Sequence, residues 1–214
     1  SGEGTSTTTG GSSGGSSSDG TSSGGDSTTG EPLCGPEDPG CGCDGVDVPD
    51  VEGLDENGDG IDGLRYCSVF VSALGGDDAN DGLSLDTPVA TLAAAIAISQ
   101  GFDPPRPVLV AEGSYVGTVT VGNGTSLYGG YDASSWNHDL ATNEVTVLGT
   151  EARALIADDI DAPTEIDGLT ITAIDAAGPG ESTYGIWVRN APGGVLSFDH
   201  VVVVAGAAGA GEDG

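Results

Sequence analysis

The chain has 214 residues, 34 of them acidic and 4 basic, for a formal net charge of −30 at pH 7. The basic residues are all arginines (Arg65, Arg106, Arg153, Arg189), and lysine is absent. A field of that sign repels phosphate backbones and anionic headgroups. It excludes nucleic acid and an anionic membrane surface as partners and leaves cations, neutral sugars and basic proteins. The same charge also serves solubility with no partner at all.

Residues 1–30 are Gly, Ser and Thr apart from Glu3, Asp19 and Asp26. Such a segment buries too little apolar surface to fold and reads as a disordered tether. Its opening, "SGEGTSTTTGG", resembles the small polar linker that follows the lipidated cysteine of bacterial surface lipoproteins. The resemblance implies an outer-membrane lipid anchor, although that cysteine is not in this sequence; a secreted, unanchored protein is the alternative. No run reaches the ~18 apolar residues of a membrane span. No signal peptide is present, so an exported protein would be in its mature form.

Residues 31–66 form a neck rich in Cys, Pro, Asp and Gly, which needs staples rather than a core. Cys34, Cys41, Cys43 and Cys67 make an even, clustered set that reads as two disulfides in one of three connectivities, implying an oxidising compartment. A zinc site is the rival, but the spacing is not that of a zinc ribbon and no histidine lies nearby. In "DENGDGIDG", Asp55, Asn57 and Asp59 alternate, Gly60 follows, and Ile61 offers a backbone carbonyl. These match the first positions of an EF-hand-type calcium loop. The match fails at its last position, where Tyr66 stands in place of a bidentate Glu. The segment resembles instead the Asp/Gly calcium repeats of extracellular proteins, such as thrombospondin type 3. That resemblance implies that Asp62 joins the set, with Asp47 or Asp50 completing it. Structural calcium of extracellular-grade affinity is the expectation, a solvated acidic linker the alternative.

From residue 67 a core becomes possible. "YCSVFVSALGGDDANDG" predicts a strand and a turn. "DTPVATLAAAIAISQG" predicts a helix over 88–99, with Thr87 as N-cap, Pro88 in the first position, an apolar face of Val89, Leu92, Ala93, Ile96 and Ala97, and Gly101 as the stop. Short β-rich runs follow: "PVLVAEG", "YVGTVTVG", "TSLYGG", "VTVLG", "ALIAD", "IDGLTIT", "GIWVRN" and "LSFDHVVVV". Residues 154–172 align without gaps on 186–204, an offset of 32 residues. A fixed period with two short strands per unit predicts a β-solenoid rather than a sandwich.

Residues 69–131, with a strand, a Gly-Asp turn, Thr-Pro, a Thr-Leu/Ala-Ala helix, then "VLVAEGSY" and a Gly-rich rung, resemble the start of bacterial pectate-lyase-like proteins. More narrowly they resemble the domain of unknown function (the DUF1565 type) that opens many of them. The resemblance implies an all-β, right-handed parallel β-helix over 67–214 with its open end covered by the helix, which would otherwise expose unpaired strand edges. A solenoid also needs a far cap, so a chain ending at "VVVVAGAAGAGEDG" reads as the N-terminal part of a longer protein.

For chemistry, Asp158, Asp159 and Asp161 cluster, and Arg189 falls near Asp158 one repeat later. This is the best catalytic constellation, and Asp158, Asp159 and Arg189 are its candidates. A solvated corner with a surface ion pair is the plainer reading. The Gly-His-Gly and Arg-x-Lys motifs of polygalacturonase-like sites are absent. His138 and His200 neighbour no nucleophile in sequence. Trp136, Trp187, Tyr128 and Tyr131 offer a sugar-stacking platform or buried bulk. The turn Asp77-Asp78-Asn80-Asp81 offers a second calcium site or plain turn chemistry. The expected function is a non-enzymatic, extracellular or cell-surface β-helix module with structural, adhesive or glycan-binding duty. The alternative is the start of a polysaccharide lyase or glycoside hydrolase whose site lies in further coils.

Overall fold

The computed structural model describes Ser1, Gly2, Gly4, Cys43 and residues 46–211. The chain divides into two units, Ser1–Gly30 and Glu31–Gly214. The tether expected over 1–30 lies, but for three residues, outside the described part, as do Cys34 and Cys41.

Strand formation follows the β-branched runs. The strands are β1 (Val69–Val71), β2 (Val108–Ala111), β3 (Gly113–Val116), β4 (Val119–Thr120), β5 (Leu127–Tyr131), β6 (Val145–Leu148), β7 (Arg153–Asp158), β8 (Thr164–Asp167), β9 (Leu169–Thr172), β10 (Tyr184–Arg189), β11 (Leu196–Asp199) and β12 (Val202–Val204). They form three sheets, ordered β1-β2-β5-β8-β11, β12-β9-β6-β3 and β10-β7-β4, and every strand pair is parallel. From β2 onward the chain visits the first, second and third sheets in turn, adding one strand to each per circuit. The protein is thus mostly β with three parallel sheets, an arrangement compatible with a parallel solenoid.

Parallel register stacks like on like between the sheets. In the first sheet Val69, Val108, Leu127 and Ile166 form one column. Tyr115, Val147 and Ile171 form another in the second sheet, and Val119 with Leu155 a third. All belong to one buried cluster. Each such side chain contributes about 1.5–3 kcal/mol by leaving water.

The helix, α1 (Leu92–Ser99), is shorter than its pattern predicts. Its N-cap is Thr91, whose side chain accepts from the Ala94 N–H, and not Thr87. Val89 lies outside it, donating its N–H to Phe70 O and accepting from Ser72 N–H. The helix buries Leu92, Ala95, Ile96 and Ser99, while Ala93 and Ala97 face outward. Asp78 explains the late start. Its carboxylate accepts from the Ala90 and Thr91 amides and the Thr91 hydroxyl, and Thr91 is held in extended backbone.

The gapless repeat alignment holds in two sheets and slips in the third. Thr164 pairs Leu196 and Thr170 pairs Val202, both 32 residues apart, but Leu155 pairs Ile186 and Asp158 pairs Arg189, 31 apart. The turn after β10 carries one more residue than the turn after β7. A one-residue slip moves a side chain to the other face. Ile186 therefore joins the core, and Trp187 lies over Ile156 instead of Leu155.

The other face of the first sheet is also covered. Phe70, Leu109, Ala111, Tyr128, Tyr131 and Trp136 form a second buried cluster with Ile61. Phe70 and Trp136 meet edge to face, centroids 5.0 Å apart. A disulfide joins Cys43 to Cys67, Cα atoms 5.0 Å apart, just before β1.

Candidate metal centre

The loop 55–63 curls around its own side chains. The Asp55 carboxylate accepts from the amides of Gly58, Asp59 and Gly60 at 2.7, 3.0 and 2.9 Å. Asn57 Oδ1 accepts from Asp59 N–H at 2.8 Å. Asp59 accepts from Ile61 and Arg65 amides and from Asn57 Nδ2. Short Asp and Asn side chains close tight turns in this way. The oxygens expected to face a cation are thus engaged with backbone N–H groups. Ile61 puts its side chain into the second cluster.

Asp62 behaves differently. It comes together with Asp47 and Glu56, one carboxylate oxygen from each lying within 4.8 Å of the others. Asp47 and Asp62 are only 4% and 3% exposed, while Glu56 is at the surface. Neither Asp47 oxygen has a hydrogen-bond partner, and neither does Asp62 Oδ1. Burial, then Glu56 beside it, pushes the Asp47 carboxyl up to about 7; the nearby Gly63 and Asn57 amides pull it back only in part. Asp50 is tied elsewhere, its Oδ1 accepting from the Glu52 amide at 2.9 Å while its own N–H donates to Asp62 Oδ2.

Asp62 also fastens this group to the first sheet. Its Oδ2 lies 2.6 Å from His138 Nδ1, and His138 Nε2 lies 2.9 Å from Gly129 O in β5. The Tyr131 hydroxyl donates to the Asp62 backbone carbonyl at 2.7 Å. The His138 ring stacks on Tyr131 at 4.7 Å. Burial works against a charged imidazole, but the Asp62 hydrogen bond and charge outweigh it, and the His138 pKa is raised. Asp47 and Asp62 stood in the sequence as candidates. Glu56 did not, because it occupies a loop position that the calcium-loop pattern leaves unassigned.

The catalytic candidates sit elsewhere, on the third sheet. Arg189 Nε donates to Asp158 Oδ1 at 2.9 Å and its NH2 to Oδ2, a two-pronged pair. Asn190 Nδ2 donates to Asp159 Oδ1 at 2.8 Å. Arg153 and Arg189 both lie over Trp187, at 4.0 and 5.0 Å from the ring centroid. The four aromatic residues do not form one platform: Trp136, Tyr128 and Tyr131 are buried in the second cluster. His200 takes the left-handed backbone position that Gly168 holds one circuit earlier, and its Nδ1 meets Asp167 Oδ1 at 2.8 Å. In the 77–81 turn, Asp77, Asp78 and Asp81 accept from neighbouring amides or hydroxyls, and Asn80 Nδ2 donates to Pro88 O.

Fold and site together define a mostly-β protein of three parallel sheets with a buried carboxylate group against the first of them. Comparison with protein-family models, with curated proteins and with solved structures found no match in any of the three.

Proposed function

We propose that this chain is an extracellular, non-catalytic surface module. In this reading the three sheets wind as a right-handed parallel β-helix, α1 covers its first coil, and the flat outer faces meet a neutral glycan or a surface protein. The regular circuit through three parallel sheets is the observation that carries it, since stacked coils supply extended faces for contact. The resemblance of residues 69–131 to the start of pectate-lyase-like proteins points the same way for handedness and cap. The Cys43–Cys67 disulfide favours an oxidising compartment, and the lipoprotein-like opening of the sequence supports a cell-surface location.

The carboxylates best suited to catalysis support a structural part for the third sheet, because Asp158 is paired with Arg189 and Asp159 with Asn190. The test is incubation of the protein with a panel of acidic and neutral polysaccharides, following both retention and chain cleavage. Retention without cleavage, unchanged by Asp158→Asn, is the expected result. Cleavage that disappears in Asp158→Asn would overturn it in favour of a lyase or hydrolase.

A further inference from the structure

We propose that Asp47, Glu56 and Asp62 form a binding site for a hard divalent cation, calcium in particular, which fastens the 46–66 segment to the first sheet. This stands apart from the display reading above, since it concerns only these residues and their surroundings.

Three carboxylates with oxygens within 4.8 Å of one another repel, and proximity alone would argue for nothing more than a solvated acidic patch. Burial changes that. Both oxygens of Asp47 and Oδ1 of Asp62 are shut from water with no hydrogen-bond partner. Among the described residues the only other buried side-chain atom in that condition is Thr183 Oγ1. Leaving carboxylate oxygens so is costly: for Asp47 the nearby Gly63 and Asn57 amides offset the desolvation only in part, and for Asp62 only Oδ2 is answered. Asp55 and Asp59, a few residues away, show the contrast: their oxygens are met by amides.

His138 answers only one oxygen of the group. His138 directs Nδ1 to the other oxygen of Asp62 and Nε2 to Gly129 O, so neither nitrogen is left over. The donors are therefore all oxygen, the set that hard cations favour and that zinc and copper, preferring nitrogen and sulfur, favour less. Asp47 has both oxygens available for two-point binding, which suits calcium's large and flexible coordination better than the strict octahedron of magnesium. Glu56, at the surface, gives the ion a way in. With one of three carboxylates exposed, affinity falls in the extracellular range, about 0.1–1 mM.

The experiment is calorimetric titration of the whole chelator-treated chain with calcium chloride alone near neutral pH, repeated with magnesium chloride. Expected is saturable binding to one site, weakened roughly tenfold or more in Asp47→Asn and in Glu56→Gln. The exposed Glu56→Gln change leaves the fold intact, so it stays informative if Asp47→Asn misfolds. Glu151→Gln, altering an exposed acid in the turn between β6 and β7, leaves binding unchanged. No saturable binding up to about 10 mM, or undiminished binding in Glu56→Gln, overturns the site. Equal weakening in Glu151→Gln shows only a diffuse charge effect and does the same. Tighter binding of magnesium than calcium overturns the choice of ion.

Discussion

His138 Nδ1 and Asp62 Oδ2 meet at 2.6 Å across 76 residues of sequence, both side chains being 1% exposed. His138 Nε2 also faces an acceptor, the Gly129 carbonyl, and although burial opposes a charged ring, the Asp62 hydrogen bond and charge raise its pKa. Removing one partner of a buried pair strands the other's charge. His138→Ala is therefore expected to lower unfolding stability by about 3–5 kcal/mol in urea titrations. A loss below about 1 kcal/mol, typical of exposed pairs, would show that Asp62 does not depend on this ring.

Cation binding to the folded chain raises its stability by mass action. At ten times the dissociation constant linkage gives about 1.4 kcal/mol, and for a chain of this size that is roughly 3–6 °C in thermal midpoint. Scanning calorimetry with calcium, then with excess chelator, should show that difference. Glu56→Gln should shrink it at equal calcium. A midpoint unmoved by chelator would count against the site.

The Cys43–Cys67 bridge closes a loop with a sequence separation of 24 residues and anchors the segment just before β1. Loop-closure entropy alone assigns such a link about 3.4 kcal/mol. The double variant Cys43→Ser/Cys67→Ser should lose that much in denaturant, with the all-β circular dichroism of the sheets retained. The double variant is preferable to a reducing agent because it changes this bridge alone.

Arg189, donating twice to Asp158, holds that carboxyl below the usual carboxylate range, and Asn190 helps. A depressed folded-state pKa contributes stability that is present above the unfolded value of about 4 and is lost as pH falls through the folded one. A carboxyl-carbon NMR titration should find the Asp158 midpoint below that of a model Asp. Arg189→Gln should move it back up. An unchanged midpoint in Arg189→Gln would mean the pair does not persist in solution.

The runs "VLVA", "VTVL" and "LTIT" were legible as strands because β-branched residues and Gly or Asn punctuation repeat around them. The stacking of the later strands was legible from the 164–172 and 196–204 copies. The slip in the third sheet was not, since two ungapped copies carry no sign of which turn holds the extra residue. Asp62, with Asp47 or Asp50, was reached through the resemblance to extracellular Asp/Gly calcium repeats, which left open which of the two completes the group. The assignment of Asp55, Asn57 and Asp59 to backbone amides could not be read, because it depends on how a Gly-rich loop folds over its own side chains. Nor could the burial of Tyr128, Tyr131 and Trp136, which requires Ile61 and the 132–138 turn to come down on the same face of the first sheet.

That slip yields a test of the fold. With Leu155 over Ile186 and under Val119, Leu155 is fully buried, whereas its neighbour Ile156 pairs with Thr120 and Trp187 and is only half-buried. A buried Leu cut to Ala loses both its transfer energy and the packing around the cavity left behind, about 2–5 kcal/mol. Ile156→Ala removes contacts from a partly solvated face beside Arg153 and Arg189 and should cost clearly less. Chemical denaturation of the two variants separates the registers. The uniform 32-residue repeat puts Trp187 over Leu155, so that Leu155 and not Ile156 would be the residue facing the arginine-flanked ring. A larger loss in Ile156→Ala than in Leu155→Ala would mean that Ile156 points inward and that the third sheet is out of step with the pairing described above.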